Sequence, residues 1–369
     1  MKIVILVRIL WSAGAQRIAI KEAKQIQDMG HSVKLIFLRK TKSWGVYKDI
    51  LKKVDYEVVS ESRSSIFSSV YDFITGLFMP DRRGEGRVDY DLLRKFHHIV
   101  KREKPDKVLC HDEWAGYAGY LAKIKQGVPY DVFLHERLGG LKVPILGKLA
   151  EHYRLKVLRN ASKIYSVTEK IARNTNERFD LKVVPNPPGF DHQNILPFEE
   201  RENLIVSVSM WDEPRNPYFF IELEKYLPDY KIILLGNWRD ENFFKKFESD
   251  LPPESNISTM RGISESQKVS IIQKSRYLVR FGEKEYGLAT AVIESISCGT
   301  PVIINTELGT ADMIEISRSG HVVKNPDAQQ VAKLIKETKP EVYKNMIDNA
   351  KVLREELTWE NHVRKIIEN

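Results

Sequence analysis

The first 38 residues, MKIVILVRILWSAGAQRIAIKEAKQIQDMGHSVKLIFL (1–38), decide the fold. The apolar run at 2–7 predicts a buried strand, and the small residues of 11–15 predict a turn after it. The next segment repeats apolar side chains every three or four residues, which is typical of a helix, and Gly30 can end that helix. The apolar residues of 31–38 predict a second strand. This succession indicates two parallel strands joined by a crossover helix.

The same alternation continues along the chain and is interrupted once. Short apolar or β-branched strands are predicted at KVLC (107–110), YDVFL (130–134), KIYSV (163–167) and KVVP (182–185), and again at LIVSVS (204–209), KIILLG (231–236), RYLVRFG (276–282) and PVIIN (301–305). The run Asn186-Pro187-Pro188-Gly189 separates the two series and marks a linker. The sequence therefore predicts an α/β protein with two Rossmann-like domains, each built on a parallel sheet.

The length of 369 residues also favours two domains, because one hydrophobic core seldom serves so long a chain. We place the first domain at 1–185, the linker at 186–202 and the second domain at 203–350. No apolar run approaches the roughly 18 residues that a membrane-spanning helix needs. Arg8 interrupts the apolar N-terminal run, which is therefore interpreted as a strand and not as a signal peptide.

The two cysteines and the net charge indicate the compartment in which the protein works and the kind of partner it binds. Cys110 and Cys298 lack metal-type neighbours and are interpreted as reduced packing residues, which suits a cytoplasmic protein. The net charge of +8 indicates an anionic partner. Nucleic acid is not expected, because the sequence has no helix-turn-helix, RNP-like or zinc pattern and its basic residues are scattered.

Residues 64–98 combine aromatic and aliphatic side chains with Arg82, Arg83 and Arg87. Two interpretations stay open for this region. One is peripheral contact with an anionic membrane at its cytoplasmic face, and the other is an ordinary amphipathic helix packed on its own domain.

The stretch RFGEKEYGLATAVIESISCGTPVIINTELGTADMI (280–314) carries the most chemical information. Gly287 predicts a turn before a helix, and Glu294 lies among the small and apolar residues of that helix. An unpaired buried carboxylate is costly, and a ribose diol could supply hydroxyl donors to it. Gly309 and Thr310 open a further short helix, whose free N–H groups suit a phosphate.

The segment SVSMWDEPRNP (207–217) places Arg215 between a predicted strand and a predicted helix. Ligands of open α/β sheets bind beyond the carboxyl ends of the strands. Taken alone, this segment leaves two interpretations of Arg215: a cation that meets a diphosphate, and a solvated turn residue.

The region 280–314 resembles the donor site of retaining GT-B glycosyltransferases, particularly those of glycosyltransferase family 4. In that family a glutamate, a glycine-containing turn and a second glutamate precede a run of the AmAxGxPVV type. The second glutamate corresponds to Glu294, for which the resemblance implies binding of the donor ribose. The first corresponds to Glu285, although Tyr286 occupies the position with the usual spacing. Either Glu285 still reaches the transferred sugar, or the donor sugar is held differently.

The resemblance covers nearly the whole chain. VLRNASKIYSVTEKIARN (157–174) and VVPNPPG (183–189) resemble the segments before and at the family's domain linker. LTWENHVRKII (357–367) resembles the closing helix that crosses back to the first domain, so we assign 351–369 to that role. The segment 207–217 resembles the phosphate-binding segment of the family, with two substitutions. Met210 stands where arginine is common, and Arg215 replaces the usual lysine. Arginine can still neutralise a diphosphate, whereas methionine cannot.

The implied activity is transfer of a sugar from a nucleoside-diphosphate sugar to a hydroxyl of a glycan, a lipid-linked acceptor or a small molecule, with retention of configuration. The first domain would bind the acceptor and the second the donor. The resemblance also implies that the reaction needs no metal and no resident cofactor, and no convincing DxD-type carboxylate pair occurs. Two alternatives stay open: a non-catalytic nucleotide-sugar-binding protein on the same fold, and a sugar-nucleotide epimerase.

The resemblance assigns roles to individual residues. The implied catalytic residues are His135 (at the end of the strand VFLHE), Arg215 and Glu285. The implied donor-binding residues are Gly14, Gly287, Leu288, Glu294, Gly309 and Thr310. His111, Asp112 and Glu113 end another predicted strand, and they either line the acceptor side or belong to a solvated loop.

Overall fold

The structure, a computed structural model, describes residues 1–10, 14–40, 48–60, 90–139 and 146–368. The contacts divide the chain into two compact units. Unit 1 comprises Met1–Pro188 together with Trp359–Asn369, and unit 2 comprises Gly189–Thr358. Each unit is an α/β domain with its own parallel sheet, and the predicted fold class is therefore confirmed.

Unit 1 alternates strands and helices. Its strands are β1 (Lys2–Leu10), β2 (Ser32–Lys40), β3 (Tyr56–Ser60), β4 (Lys107–His111), β5 (Tyr130–Leu134), β6 (Ile164–Ser166) and β7 (Val183–Pro185). Its helices before the linker are α1 (Gly14–Asp28), α2 (Lys48–Leu51), α3 (Tyr90–Glu103), α4 (Glu113–Gln126), α5 (Leu146–Arg159) and α6 (Glu169–Phe179). The sheet order is β3-β2-β1-β4-β5-β6-β7. Strands β4 and β5 are buried at every residue, as expected of a sheet that helices cover on both faces.

Unit 2 repeats this plan with six strands. They are β8 (Glu202–Val208), β9 (Lys231–Leu235), β10 (Ile257–Met260), β11 (Ser275–Arg280), β12 (Val302–Asn305) and β13 (Gly320–Val323). The helices are α7 (Tyr218–Tyr226), α8 (Glu241–Asp250), α9 (Glu265–Lys274), α10 (Thr290–Ser297), α11 (Ala311–Ser317), α12 (Ala328–Glu337) and α13 (Pro340–Glu356). The sheet order is β10-β9-β8-β11-β12-β13, and two hydrophobic clusters form the core of this unit.

The strand order reverses once in each sheet, between β1 and β4 in unit 1 and between β8 and β11 in unit 2. Loops that follow strands on either side of such a switch point diverge and leave a crevice for ligands. His111 ends β4, and Arg215 and Glu285 follow β8 and β11. The topology therefore places these predicted site residues at the two switch points.

The last helix, α14 (Trp359–Ile367), belongs to unit 1. Lys107 donates to the carbonyl of Ile366 at 3.1 Å, and the hydroxyl of Tyr165 donates to the carbonyl of Lys365 at 3.0 Å. Carbonyls in the last turn of a helix have no partner within the helix, so these donors satisfy groups that would otherwise be orphaned. Within the described residues, no helix is both long enough and apolar enough to cross a bilayer.

Candidate active site

Arg215 and Glu285 meet at the carboxyl edge of the unit 2 sheet. Arg215 ends a short 3₁₀ turn, Glu213–Arg215, and Asn216 then adopts the left-handed region before α7 begins. Nη2 of Arg215 lies 3.0 Å from Oε1 of Glu285. The structure thus joins two predicted catalytic residues that lie on different loops.

Arg280, the last residue of β11, is a third member of this cluster and was not predicted. Its Nη2 lies 2.7 Å from Oε2 of Glu285, so that carboxylate binds Arg280 and Arg215 through separate oxygens. Burial lowers the pKa of the Arg280 guanidinium and Glu285 opposes this shift, yet an arginine remains charged at neutral pH. An arginine that ends an otherwise apolar strand was the only sequence signal for this position.

Asp212 extends the cluster. It accepts a hydrogen bond from Arg215 at 2.8 Å and lies 3.2 Å from Nε of Arg239. With Arg280 and Glu285 included, three guanidinium groups face two carboxylates, and the group carries one net positive charge. Such a charge suits an anionic ligand.

A pocket of about 150 Å³ lies beside Arg215 and Arg280. Its lining includes the aromatic side chains of Trp211, Phe219 and Phe281. Concave sites that combine apolar walls with a few charged groups are typical of small-molecule binding.

The loop after β11 is closed by Gly309. The amide of Gly309 donates to the carbonyl of Glu285 at 2.6 Å. A Cβ at this position would lie 2.0 Å from the carbonyl oxygen of Tyr286 and 2.6 Å from that of Gly287, so only glycine fits. Thr310 follows at the start of α11, where it is fully buried and its Oγ1 finds no hydrogen-bond partner in the described part of the chain.

Glu294 lies apart from these residues, on α10. Its Oε1 lies 2.8 Å from Nζ of Lys268 on α9. We expected a carboxylate whose natural partner is a ligand, and the structure supplies a lysine partner that the sequence did not reveal. Leu288, just before α10, packs against one hydrophobic cluster of unit 2 and thereby anchors the turn at Gly287.

Four side chains of unit 1 form a second candidate site, which we call the histidine network. His135 follows β5 and is half-buried, and its Nε2 lies 2.9 Å from Nδ1 of His111. Nε2 of His111 lies 2.6 Å from Oε2 of Glu22, and Oε1 of Glu22 lies 2.6 Å from Nε2 of His362. Nδ1 of His362 lies 2.9 Å from the carbonyl oxygen of Pro187.

The network holds ionised and neutral groups together. Burial opposes ionisation of Glu22, but its close contacts with His111 and His362 outweigh burial and lower the pKa of Glu22 to about 2. Burial lowers the pKa of His135 to about 3. At neutral pH Glu22 is therefore a carboxylate and His135 a neutral imidazole.

His111 and His135 were predicted from the sequence, whereas Glu22 and His362 were not. Both missed residues are buried, on α1 and α14 respectively. A charged or polar side chain within an apolar helix face was the available signal, because such a group needs a buried partner.

The remaining predicted residues of unit 1 have local roles. Asp112 caps α4 by accepting from the amide of Ala115 at 2.7 Å, and Glu113 begins that helix. His111 is 1% exposed, so its side chain is not placed to contact a ligand directly. Gly14 is the first residue of α1, and the preceding residues 11–13 lie outside the described residues. In the part of the chain that the structure describes, no three or more His, Cys, Asp or Glu side chains are grouped to hold a metal ion.

Two family models match this sequence. The model described as Glycosyltransferase Family 4 matches residues 12–194, and the model described as Glycosyl transferases group 1 matches residues 190–352. Together they span both units and all the predicted site residues. The chain therefore belongs to the GT-B glycosyltransferases of family 4.

Individual relatives are distant in sequence and similar in fold. A probable sucrose-phosphate synthase from Thermosipho melanesiensis is 25% identical over 314 residues, which cover 75% of this chain and 73% of the relative. A glycosyltransferase from Rickettsia africae has a TM-score of 0.77 at 16% identity, covering 100% of this chain and 97% of its own. The Anabaena protein HepE, solved with UDP and glucose, has a TM-score of 0.74 at 15% identity, covering 100% and 98%.

Proposed function

We propose that this glycosyltransferase takes its sugar from a nucleoside-diphosphate donor bound by unit 2 and transfers it, with retention of configuration, to an acceptor hydroxyl. One observation carries the proposal: Arg215, Glu285 and Arg280 converge beside the loop that Gly309 closes, at the switch point of a parallel sheet. This arrangement combines a net positive charge, a carboxylate and a helix N-terminus within one site.

The chemistry explains why such residues are needed. Breaking the glycosidic bond of the donor leaves a negative diphosphate and an electron-poor sugar carbon, so stabilising the leaving charge lowers the barrier. Arg215 and Arg280 supply that stabilisation, together with the amide of Thr310, and Gly309 positions this amide by closing the loop through its own bond to the carbonyl of Glu285. Arg280 provides a second cation in this cluster, whereas Met210 is 44% exposed and carries no charge.

Glu285 is positioned by two arginines and accepts hydrogen bonds from sugar hydroxyls. When a diphosphate enters, it competes with Glu285 for Arg215, which frees one carboxylate oxygen for the sugar. Glu294 binds the ribose diol, and its ion pair with Lys268 orients that carboxylate.

The acceptor is a carbohydrate or a lipid-linked glycan, and the reaction proceeds without a resident cofactor or metal. His135 is the catalytic residue of unit 1. Peripheral contact with an anionic membrane through 64–98 stays part of the proposal, although 64–89 lie outside the described residues. The Anabaena protein was solved with UDP and glucose, which makes UDP-glucose the first donor to test.

The experiment is a panel of UDP-, GDP-, ADP- and TDP-sugars, with release of nucleoside diphosphate measured with and without acceptors. We expect turnover of one donor, and Glu294→Gln lowers kcat/KM about tenfold or more because a charged hydrogen bond is lost. Glu265→Gln is the matched control: Glu265 also lies 3.0 Å from Lys268, but its side chain is 57% exposed. That variant changes kcat/KM by less than about twofold.

Each of the other outcomes of this experiment indicates a different function. An altered nucleotide sugar that is released without an acceptor indicates an epimerase. A donor that raises the melting temperature, yet is never consumed with carbohydrate or lipid-linked acceptors, indicates a non-catalytic binding protein. The anomeric configuration of the product, measured by NMR, tests retention separately.

A further inference from the structure

The histidine network joins four distant parts of unit 1 at one buried point. Glu22 lies on α1, His111 ends β4, His135 follows β5 and His362 lies on α14. Glu22 is 0% exposed, His111 is 1% exposed and His362 is 2% exposed. Only His135 is partly exposed, and within the described residues no hydrogen-bond partner is recorded for its Nδ1.

The hydrogen-bonding capacities of these groups determine which atom donates and which atom accepts at each contact of the histidine network. A backbone carbonyl only accepts, so Nδ1 of His362 carries a proton and donates to Pro187. Nε2 of His362 and Oε1 of Glu22 then share one further proton across 2.6 Å. Whichever of these two atoms holds that proton, Oε2 of Glu22 is left as a pure acceptor.

His111 must therefore carry its proton on Nε2, which faces Oε2 of Glu22 at 2.6 Å. A second proton on His111 would add a buried cation, while the single acidic group, Glu22, already shares a proton with His362. Nδ1 of His111 is consequently a lone pair, and Nε2 of His135 at 2.9 Å is its donor. This leaves the lone pair of His135 on Nδ1, the ring nitrogen that does not contact His111.

We propose that Glu22, His111 and His362 are positioning residues that hold His135 in its Nε2–H tautomer, so that Nδ1 accepts a hydrogen bond from a hydroxyl of the sugar substrate. The hydrogen bond from the sugar hydroxyl to Nδ1 of His135 involves no net proton transfer. The histidine network acts only by orienting His135. The role at the substrate rests on the proposed glycosyl transfer, whereas the tautomer itself does not.

The tautomer is measured directly on the unmodified protein labelled with ¹⁵N-histidine. Two-bond ¹H–¹⁵N correlations distinguish a protonated from an unprotonated ring nitrogen, and His135→Gln assigns the signal. We expect Nδ1 of His135 to be unprotonated and Nε2 protonated at pH 7. A proton on Nδ1 overturns the proposal whether or not any sugar is transferred.

Two variants test the dependence on the network. His111→Leu and Glu22→Leu break the connection at different links, and each is expected to give His135 a mixture of tautomers. Glu22→Gln is the conservative rescue, because its amide can donate to a neutral His362 while its carbonyl oxygen still accepts from His111. His152→Leu, an exposed position on α5, is the matched control for a histidine-to-leucine change.

Measurements of kcat and KM on folded variants separate the orientation of His135 from general damage to the fold. In folded Glu22→Leu and His111→Leu, kcat falls about tenfold or more while the donor KM stays within about twofold, because the donor is held by unit 2. Glu22→Gln keeps most of the wild-type kcat. If His135 keeps a single Nε2–H tautomer in both leucine variants, the positioning role is refuted. If the tautomer shifts but the wild-type protein consumes no donor, the proposed function fails and the network assignment stands.

Discussion

At the scale of single residues, Arg215 and Arg239 offer a natural comparison. Both contact Asp212, at 2.8 and 3.2 Å, but only Arg215 also reaches Glu285. The Arg215 side chain is 20% exposed and the Arg239 side chain 63%. Exposed ion pairs contribute little free energy, whereas partly buried charge-assisted hydrogen bonds contribute more. Arg215 should therefore dominate binding of an anionic donor.

We predict that Arg215→Met weakens binding of UDP or the preferred nucleoside diphosphate about tenfold or more, since a hydrogen bond between charged groups is lost. Arg239→Met should change the dissociation constant by less than about twofold. Isothermal titration calorimetry at fixed ionic strength measures both. Equal losses of affinity in the two variants would mean that the diphosphate contacts the exposed Arg239 as strongly as Arg215, and that the Arg215–Glu285–Arg280 cluster is not its main binding site.

The sequence predicted the residue types of the donor site better than their pairing. Glu294 was recognised as a buried carboxylate that needs a partner, yet Lys268 lies 26 positions earlier and looks like any solvated helix lysine. Arg280 looked like the end of an apolar strand. Partners that come from separate elements depend on the tertiary arrangement, and no local spacing encodes them.

At the scale of elements, burial decided which strands the sequence could reveal. The strand YDVFL (130–134) is central and buried on both faces, and the structure has β5 at these same residues. The strands that sequence analysis did not predict, β3, β10 and β13, all lie at sheet edges. An edge strand is short and partly solvated, so its apolar pattern is weak.

One buried arginine ties several elements of unit 2 together. Arg201, 4% exposed, donates to the carbonyls of Gln273, Ser275 and Gly299 and to the hydroxyl of Thr300. These acceptors belong to the end of α9, the start of β11 and the turn before β12. Burial lowers the pKa of its guanidinium, and the ring of acceptors offsets the loss of solvation.

We predict that Arg201→Met lowers the free energy of unfolding by about 3 kcal/mol or more, because several buried acceptors lose their donor at once. Urea denaturation of the whole protein measures the change. Lys274→Met is the control, since Lys274 is 56% exposed and its contact with Glu202 is 4.0 Å long. A comparable loss in that variant would show that general charge removal, and not the buried acceptors, causes the effect.

At the scale of the whole molecule, the return of α14 to unit 1 joins residues from both ends of the sequence. His362 contacts Glu22 across 340 positions, and both are buried. No pattern local to either helix predicts this contact. Its consequence is that the ionisation of Glu22 and the docking of α14 are linked, which makes the stability of unit 1 dependent on pH.

The sign of that dependence follows from two lowered pKa values. Glu22 shifts from an ordinary value of 4.5 to about 2, so it stabilises the fold above pH 4.5 and loses this contribution as the pH falls towards 2. His135 shifts from 6.5 to about 3 because burial disfavours its charged form. The unfolded chain therefore binds a proton there first, and stability again falls as the pH drops below 6.5.

We predict that Glu22→Gln lowers the free energy of unfolding by about 3 kcal/mol at pH 7, the equivalent of the pKa shift of Glu22. The gap between wild type and variant narrows to less than about half of that value at pH 3, where the wild-type carboxylate has lost most of its advantage. Urea denaturation from pH 7 to pH 3 measures the gap. Glu265→Gln, an exposed carboxylate, serves as the control and should give a small difference at every pH. A gap for Glu22→Gln that stays constant across this range would mean that Glu22 is not ionised in the native protein, and the charge assignment of the histidine network would then be wrong.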